Sequence, residues 1–547
     1  MRTGLIPAVL AVWLLALLLT AAPQASETIA KGPKVRSGEL FKTSESCLAC
    51  HNGLATASGE DISIGSDWRA TMMANSSRDP YWQAGVRREM ADHPTAAADI
   101  QDECSICHMP MARAQAKAQE RKGEIFAHLP IGRSRNPLAG LAADGVSCTV
   151  CHQITDRNFG TPESFTGGFV LDASRSREPR AVFGPYQVDH GRTTIMQSAT
   201  EFKPTESAHI RQSELCATCH TLITQALGPR GEVIGRLPEQ VMYLEWQHSE
   251  FKDKQSCQSC HMPAVEEDTR IASVLGDLRK GFARHIFRGG NFFMLRLLNK
   301  YRADLGVEAL PQELEISANR TIQHLQSETA TVSVDTAQIS GGRLDVVVFV
   351  QNLTGHKFPT GYPSRRAWLH VTVRDRDRRP VFESGAMAAS GLIEGNDADA
   401  DAGRFEPHYA EINRPEQVQI YESVMGDSAG LPTTGLLSAV RYLKDNRLLP
   451  RGFDKTTAEP DVAVVGAASQ DANFQSGGDR VQYSVDVAGR EGPFQVEVEL
   501  RFQPVAFRWA QNLKAYDNAE ARRFVGYYES MSSGSSQVVA QAAATVR

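Results

Sequence analysis

Five short segments of this chain repeat one pattern. Cys47-Leu-Ala-Cys50-His51, Cys104-Ser-Ile-Cys107-His108, Cys148-Thr-Val-Cys151-His152, Cys216-Ala-Thr-Cys219-His220 and Cys257-Gln-Ser-Cys260-His261 each read C-x-x-C-H, and together they consume all ten cysteines. The spacing has a chemical cause. Two thiols three positions apart share one face of a helical turn, where both can form thioethers with the vinyl groups of a haem, and the next histidine is carried beneath the iron as its proximal ligand. Zinc ribbons and disulfides also use C-x-x-C pairs. The histidines decide against them. With 15 His in 547 residues, chance would place one after all five pairs about once in 10⁸ sequences.

The same motifs constrain the architecture. All ten cysteines lie between residues 47 and 260, so the second half must fold on an apolar core of its own. From 47 to 261 the motifs come about every fifty residues, with Gly- and Pro-containing connections and few long hydrophobic runs. That composition suits a domain in which short helices wrap haems that fill the interior. Asp79-Pro80 starts a helix that runs to Asp92, residues 111–122 form a second with a solvated face, Asn291 to Lys300 packs on the haem body, and Pro311 to Gln326 is an amphipathic joint.

From Ala330 the hydrophobic period changes to two. Val332 and Val334, then Leu344 to Val350, then Ala367 to Val373 alternate as half-buried strands, and further strands are expected at Val462 to Val465, Val481 to Val487 and Phe494 to Phe502. A helical insertion is expected over Leu436 to Asp445, with a closing helix or helix pair over Phe507 to Tyr528. The fold class is therefore α+β and multidomain: a mainly α or irregular haem-wrapped domain over 40–305, a connecting helix over 306–328, and an antiparallel β-sandwich over 329–547.

Met1-Arg2, the apolar run Leu5 to Leu19 and the small residues that follow have the three regions of a signal peptide, assigned to 1–25. An uncleaved anchor is the competing reading, although a run of about fifteen residues is short for spanning a bilayer. No later stretch is long and apolar enough to span. Export to the periplasm fits the motifs, because haem is attached to c-type cytochromes outside the cytoplasmic membrane. The net charge of −6 argues against nucleic acid and leaves room for a redox partner with a basic patch, another cytochrome or a respiratory complex.

An iron held by one histidine can bind a substrate, whereas one with two protein ligands can only pass electrons. The sixth ligands therefore decide the function. Ten histidines lie outside the motifs, enough to fill every distal position. His285 leads, in a segment whose Gly289-Gly290 lets backbone approach a flat cofactor. His128, His190 and His209 follow, and His356 joins them in a loop stiffened by Pro359 and Pro363, with Arg365 and Arg366 suited to haem propionates. His93 and His248 are weaker choices. Met72-Met73 offers a thioether, or a pair packed on a haem face. Asp397-Ala-Asp399-Ala-Asp401 alternates carboxylates but lacks the glycine and glutamate of a calcium loop, and reads better as a solvated acidic loop.

The motifs and their flanks resemble the multihaem cytochromes of the cytochrome c-554/c-552 family. The resemblance rests on Trp68-x-x-Thr71-Met72, Ile100-Gln-Asp-Glu-Cys104, Cys107-His108-Met-Pro110, Asp144-Gly-Val-Ser-Cys148, Ser213-Glu-Leu-Cys216, Ser256-Cys257 and Cys260-His261-Met-Pro263, within residues 44–295. It implies a periplasmic electron carrier with closely stacked haems, some members having an open iron. The β-rich half, with Gly355-His356-Lys-Phe-Pro-Thr-Gly361 and Lys444-Asp-Asn-Arg-Leu-Leu-Pro450, resembles a module found behind such haem domains and implies no activity. Two functions are carried forward: an exported pentahaem electron relay, and a multihaem oxidoreductase acting on a small nitrogen or sulfur compound at one open haem.

Overall fold

The computed structural model describes residues 39–172 and 179–547. The signal-peptide reading of 1–25 lies outside them. Among the described residues no helix is long and apolar enough to cross a membrane.

The haem-motif half is built of short helices with small two-stranded ribbons between them. Helix α1 (Pro80–Asp92) starts as expected: the Asp79 carboxylate caps the backbone N–H groups of Tyr81 and Trp82, and Pro80 occupies the first turn, where no N–H is needed. Helix α2 (Met242–Gln247) precedes the last C-x-x-C-H. Helix α3 (Phe292–Lys300) and helix α4 (Pro311–Glu328) follow it. The helix expected at 111–122 spans Pro110–Ala118, and it buries Met111, Ala112, Gln115 and Ala116 rather than presenting a wholly solvated face.

The second half contains two sheets. One orders β5-β9-β2-β1, from β1 (Ala330–Ser340), β2 (Arg343–Asn352), β5 (Glu411–Ile412) and β9 (Gly478–Asp486). The other orders β7-β6-β3-β10-β11, with β4 (Pro380–Ser384) beside β3 (Arg366–Arg374) and β8 (Ala439–Asp445) beside β6 (Ile420–Asp427). Its remaining strands are β7 (Pro432–Thr433), β10 (Phe494–Gln503) and β11 (Gln537–Val546). All pairings are antiparallel except the short β5–β9 contact. Leu344, Val346, Val348 and Val350 of β2 are fully buried, and the residues between them are less so, the period-two pattern of a strand with one face on a core.

Several expectations need correction. The insertion expected to be helical at Leu436 to Asp445 is strand β8, paired with β6 from Asp427–Ala439 to Ser423–Asp445. Its Leu, Ala, Arg and Lys favour helix locally, but an unpaired edge of β6 overrides propensity. The stretch expected as a strand at 462–465 is a 3₁₀ turn (Pro460–Val462) with a single bridge from Val465 to Asp445. The chain closes with helices α5 (Phe507–Asn512) and α6 (Ala519–Glu529), then ends in strand β11 rather than in a helix. Helix α3 packs Phe292, Leu297 and Leu298 into the core it shares with Leu344, Val348, Val371 and Phe502, so it belongs to the sandwich as much as to the haem body.

Candidate haem-binding cavity

Each C-x-x-C-H sits on a short helix or the turn that follows one, so the placement of its thiols and imidazole relative to one another follows from local geometry. The N–H of His51 donates to the carbonyl of Cys47, and that of His152 to Cys148, the i to i+4 bonds that put both thiols and the imidazole on one face. All five motifs, with every cysteine and histidine, wall one continuous cavity of about 1410 Å³. The cysteines of different motifs touch within it: Cys47 interacts with Cys148, Cys107 with Cys219, and Cys216 with Cys257. The haem half correspondingly has only small apolar clusters around this space, such as Leu54, Ile62 and Phe282.

Four of the five motif imidazoles have the tautomer a metal ligand needs. Ring Nδ1 of His51 donates to the Ile271 carbonyl at 2.7 Å, His152 to Phe183 at 2.5 Å, His261 to Arg288 at 2.6 Å, and His108 to Ser76 at 3.3 Å. A carbonyl only accepts, so each Nδ1 carries the proton and each Nε2 presents a free lone pair. Burial also lowers the basicity of His152, His108 and His261, the last two to about 4, favouring the neutral form a metal requires. Trp82 stacks on His108 at 4.3 Å with planes 5° apart.

Two further histidines stand opposite proximal ones. His285 lies 6.5 Å from His152 between ring centroids, and His356 lies 6.3 Å from His261 with planes 10° apart. These separations are too long for ring contact. A metal held between two imidazoles by bonds of about 2.0–2.1 Å would fit ring centroids about 6.3 Å apart. His285 donates from Nδ1 to the Ala283 carbonyl at 3.0 Å and His356 to Lys357 at 2.9 Å, so their Nε2 atoms are free as well. The cysteine pairs, the neutral anchored imidazoles and the opposed rings fit covalently attached haem, which would supply one-electron iron redox chemistry.

His356 reaches the cavity from the sandwich. Its loop, between β2 and β3, is gripped by Glu245 of α2, which accepts from the Lys357 backbone N–H at 3.1 Å and from Thr360 Oγ1 at 2.6 Å. Arg447 pairs with Glu245 at 2.8 Å and with Asp445 at 2.7 Å, and Asp445 also holds the buried Lys357 Nζ at 2.8 Å. Burial opposes the Asp445 charge, but the two cations outweigh it and hold the carboxyl well below the usual range.

The other expected distal ligands are elsewhere. His209 is buried, but its Nδ1 bonds Ser207 Oγ at 2.6 Å and its Nε2 the Ile154 carbonyl at 2.9 Å, leaving no lone pair for iron. His128 is buried outside the cavity, beside a small space lined by Met109 and Asn136. His190 is exposed at the start of the helix His190–Thr200. Among the described residues, the non-motif histidines that line the cavity are His285, His324 and His356. Sequence reasoning left His324 out of its ligand set. Its ring is 6.1 Å from His261 at 69°, and its signal was a histidine on the buried stripe of α4 with Leu314, Ala318, Thr321 and Leu325. Met72 and Met73 both line the cavity. Arg366 is not a propionate partner, because its guanidinium is buried against Asp399 at 2.9 Å. The same pair corrects the solvated acidic loop: Asp397–Ala400 is a helical turn with Asp399 committed to Arg366 and Asp397 to Arg404, leaving no calcium ligand set.

No family model and no curated protein matches the chain. Among solved structures, a penta-heme cytochrome c552 from Thermochromatium tepidum is similar, with a TM-score of 0.52 and 15% identity over 92% of this chain and 99% of that one. The likeness is one of fold and runs well beyond the motif-bearing half.

Proposed function

We propose that the chain is an exported pentahaem cytochrome c that relays single electrons between respiratory partners in the periplasm. The observation that carries this reading is the single cavity walled by all five C-x-x-C-H motifs. Contacts between cysteines of different motifs support close haem neighbours along it, and the fold similarity to a penta-heme cytochrome supports the cofactor class. His285 and His356 are the distal ligands opposite His152 and His261. Their anchored Nδ1 atoms and their spacing suit that role, whereas His324 has a bare Nδ1 3.5 Å from the Glu328 carboxylate.

An oxidoreductase is the second reading, favoured by one observation. Three cavity histidines cannot supply five irons, so at least two irons take methionine or remain open. A pyridine haemochrome assay with protein mass should give five covalent haems, and low-temperature EPR of the oxidised protein should show low-spin and high-spin ferric signals together. Film voltammetry should give one-electron waves without catalytic current on adding nitrite or hydroxylamine. Sustained catalytic current would replace the relay by the enzyme, and bound zinc without haem would end both.

A further inference from the structure

We infer that the outer face of the ribbon Thr269–Arg279 is the docking surface for an acidic electron-transfer protein, which in its reduced form passes one electron to the ferric haem held by Cys47, Cys50 and His51. The inference rests on the relay reading above and adds to it the place of exchange and the chemistry of the partner.

The ribbon pairs Thr269 with Arg279 and Arg270 with Leu278, and the segment between them is tied to the first C-x-x-C-H. The Ile271 carbonyl accepts from His51 Nδ1 at 2.7 Å, and Ser273 donates to the Cys50 carbonyl from its backbone N–H at 2.8 Å and its hydroxyl at 3.0 Å. The residues that follow face solvent. Val274, Leu275 and Leu278 are 49%, 62% and 60% exposed, and none of them borders the cavity assigned to the haems, so the haems do not cover them. A surface leucine alone calls for no explanation. Leu275, however, also holds φ at +52°, in the left-handed region where a Cβ is strained. Glycine or asparagine would relieve both the strain and the exposure, so a leucine here is explained by a partner that packs on it.

The charge around these side chains selects the partner. Arg192, on the neighbouring helix His190–Thr200, donates to the Leu275 carbonyl and to Asp277, each at 2.6 Å, and also pairs with Asp189. Two carboxylates are thereby committed to one guanidinium. Arg279 keeps only a longer contact with Asp277 at 3.6 Å, Arg270 bonds the Gly276 carbonyl, and Lys280 has no carboxylate partner among the described residues. Within residues 268–280 the remaining carboxylate is Asp268. None of these four cations borders the cavity, so haem propionates are not their partners. The net charge of −6 would draw a basic partner to the chain as a whole, whereas this face fits a rim of carboxylates. Three apolar side chains framed by cations make a small patch, suited to a transient electron-transfer encounter rather than a permanent dimer. An anionic membrane would satisfy the charge, but the bonds to Cys50 and His51 give a docked redox protein, and not a lipid, a direct path to an iron.

The test mixes ferric holoprotein with flavodoxin hydroquinone, an acidic one-electron donor, in a stopped-flow spectrometer that follows the Soret band, with dithionite as a small reductant that needs no docking. The wild-type rate with flavodoxin should fall as salt is raised. Arg279→Glu/Lys280→Glu should slow it at low salt by at least roughly 10-fold. Leu275→Asn/Leu278→Gln should slow it by roughly 10-fold without lowering the thermal midpoint, and both variants should keep their haem content and dithionite rate. If one variant fails to mature, the other carries the same reading. Unchanged flavodoxin rates in matured variants overturn the inference and leave the relay standing, as does a wild-type rate that rises with salt. Unchanged rates with lost self-association in sedimentation would make the face a contact between copies of this chain. Unchanged rates with lost binding to phosphatidylglycerol vesicles would make it a membrane contact. Sustained catalytic current with nitrite, by contrast, ends the relay reading and is independent of these docking rates.

Discussion

The buried ionisable groups of the second half divide by whether a counter-charge was built beside them. His408 accepts at Nδ1 from the amides of Gln419 and Asn446 at 2.8 and 3.1 Å, so its Nε2 carries the proton and donates to Asp471 at 3.1 Å. That donation commits the His408 ring within the His408, Asp471 and Asp479 cluster, so His408 offers no free lone pair to a cation. Asp479 accepts from Tyr421 and Gln419 but faces no cation, and burial pushes its pKa from 3.8 up to about 7. The folded state therefore prefers the protonated acid, and this contribution to stability is present below pH 3.8 and lost as pH rises through about 7. Burial moves His408 oppositely, from 6.5 down to about 4, so its contribution is lost as pH falls through that window. Asp479→Asn should raise the urea midpoint at pH 8 relative to pH 5, by of order 1–3 kcal/mol of stability. An equal effect at both pH values would mean the charge is not what matters. At the cavity, His356→Ala should turn one low-spin haem high-spin, and an unchanged EPR spectrum would remove His356 as a ligand.

Among the elements, the loop between β2 and β3 does most to join sandwich and haem cavity. Neither its proline content nor its glycines hold it in place alone. Glu245 of α2 takes two hydrogen bonds from the loop and one ion pair from Arg447, and replacing one partner of a buried charge pair costs about 3–5 kcal/mol. Glu245→Gln should accordingly lower stability by that order and broaden or shift the low-spin EPR signal of the haem opposite His356. The signal of the His152–His285 pair, which Glu245 does not touch, should stay as it was. Loss of stability with every haem signal unchanged would make Glu245 merely structural. Helix α4 shows a related division of labour: Leu314 and Ala318 enter the shared core, while His324 on the same stripe turns into the cavity.

At the scale of the whole molecule, residues Glu39–Arg547 pack as one compact unit. One apolar core runs from Phe292 and Leu314 through Val348 and Val371 to Tyr528. Helix α1 of the haem half lies against α6, with Arg87 and Glu520 paired at 3.1 Å and Tyr516 bonded to Asp92 at 2.8 Å. Halves joined by a common core and a buried ionic clamp should lose structure together. Calorimetry of the holoprotein should show one cooperative transition, with Soret and far-UV signals changing at the same temperature. Two resolved transitions would make the sandwich an independent domain.

The local geometry of each motif was legible in the amino-acid order because Cys-x-x-Cys-His closes within about one helical turn and needs no distant partner. The strands at 344–350, 367–373 and 494–502 were legible for the same local reason, since period-two alternation marks a face on a core. The distal ligands were not, because a sixth ligand is defined by which imidazole stands about 6.3 Å across a cavity, and that is a property of long-range packing. His285 and His356 reach that position from segments whose turns could be read. His128, His190 and His209 look equivalent in sequence, yet they stand at a buried site outside the cavity, at a solvated helix start and between two hydrogen-bond partners. The place of His324 in the cavity wall, and the contrast between Arg366, paired with Asp399, and Arg365, which lines the cavity one residue earlier, exist only once the two halves are folded together, because alternate residues entering β3 face opposite sides.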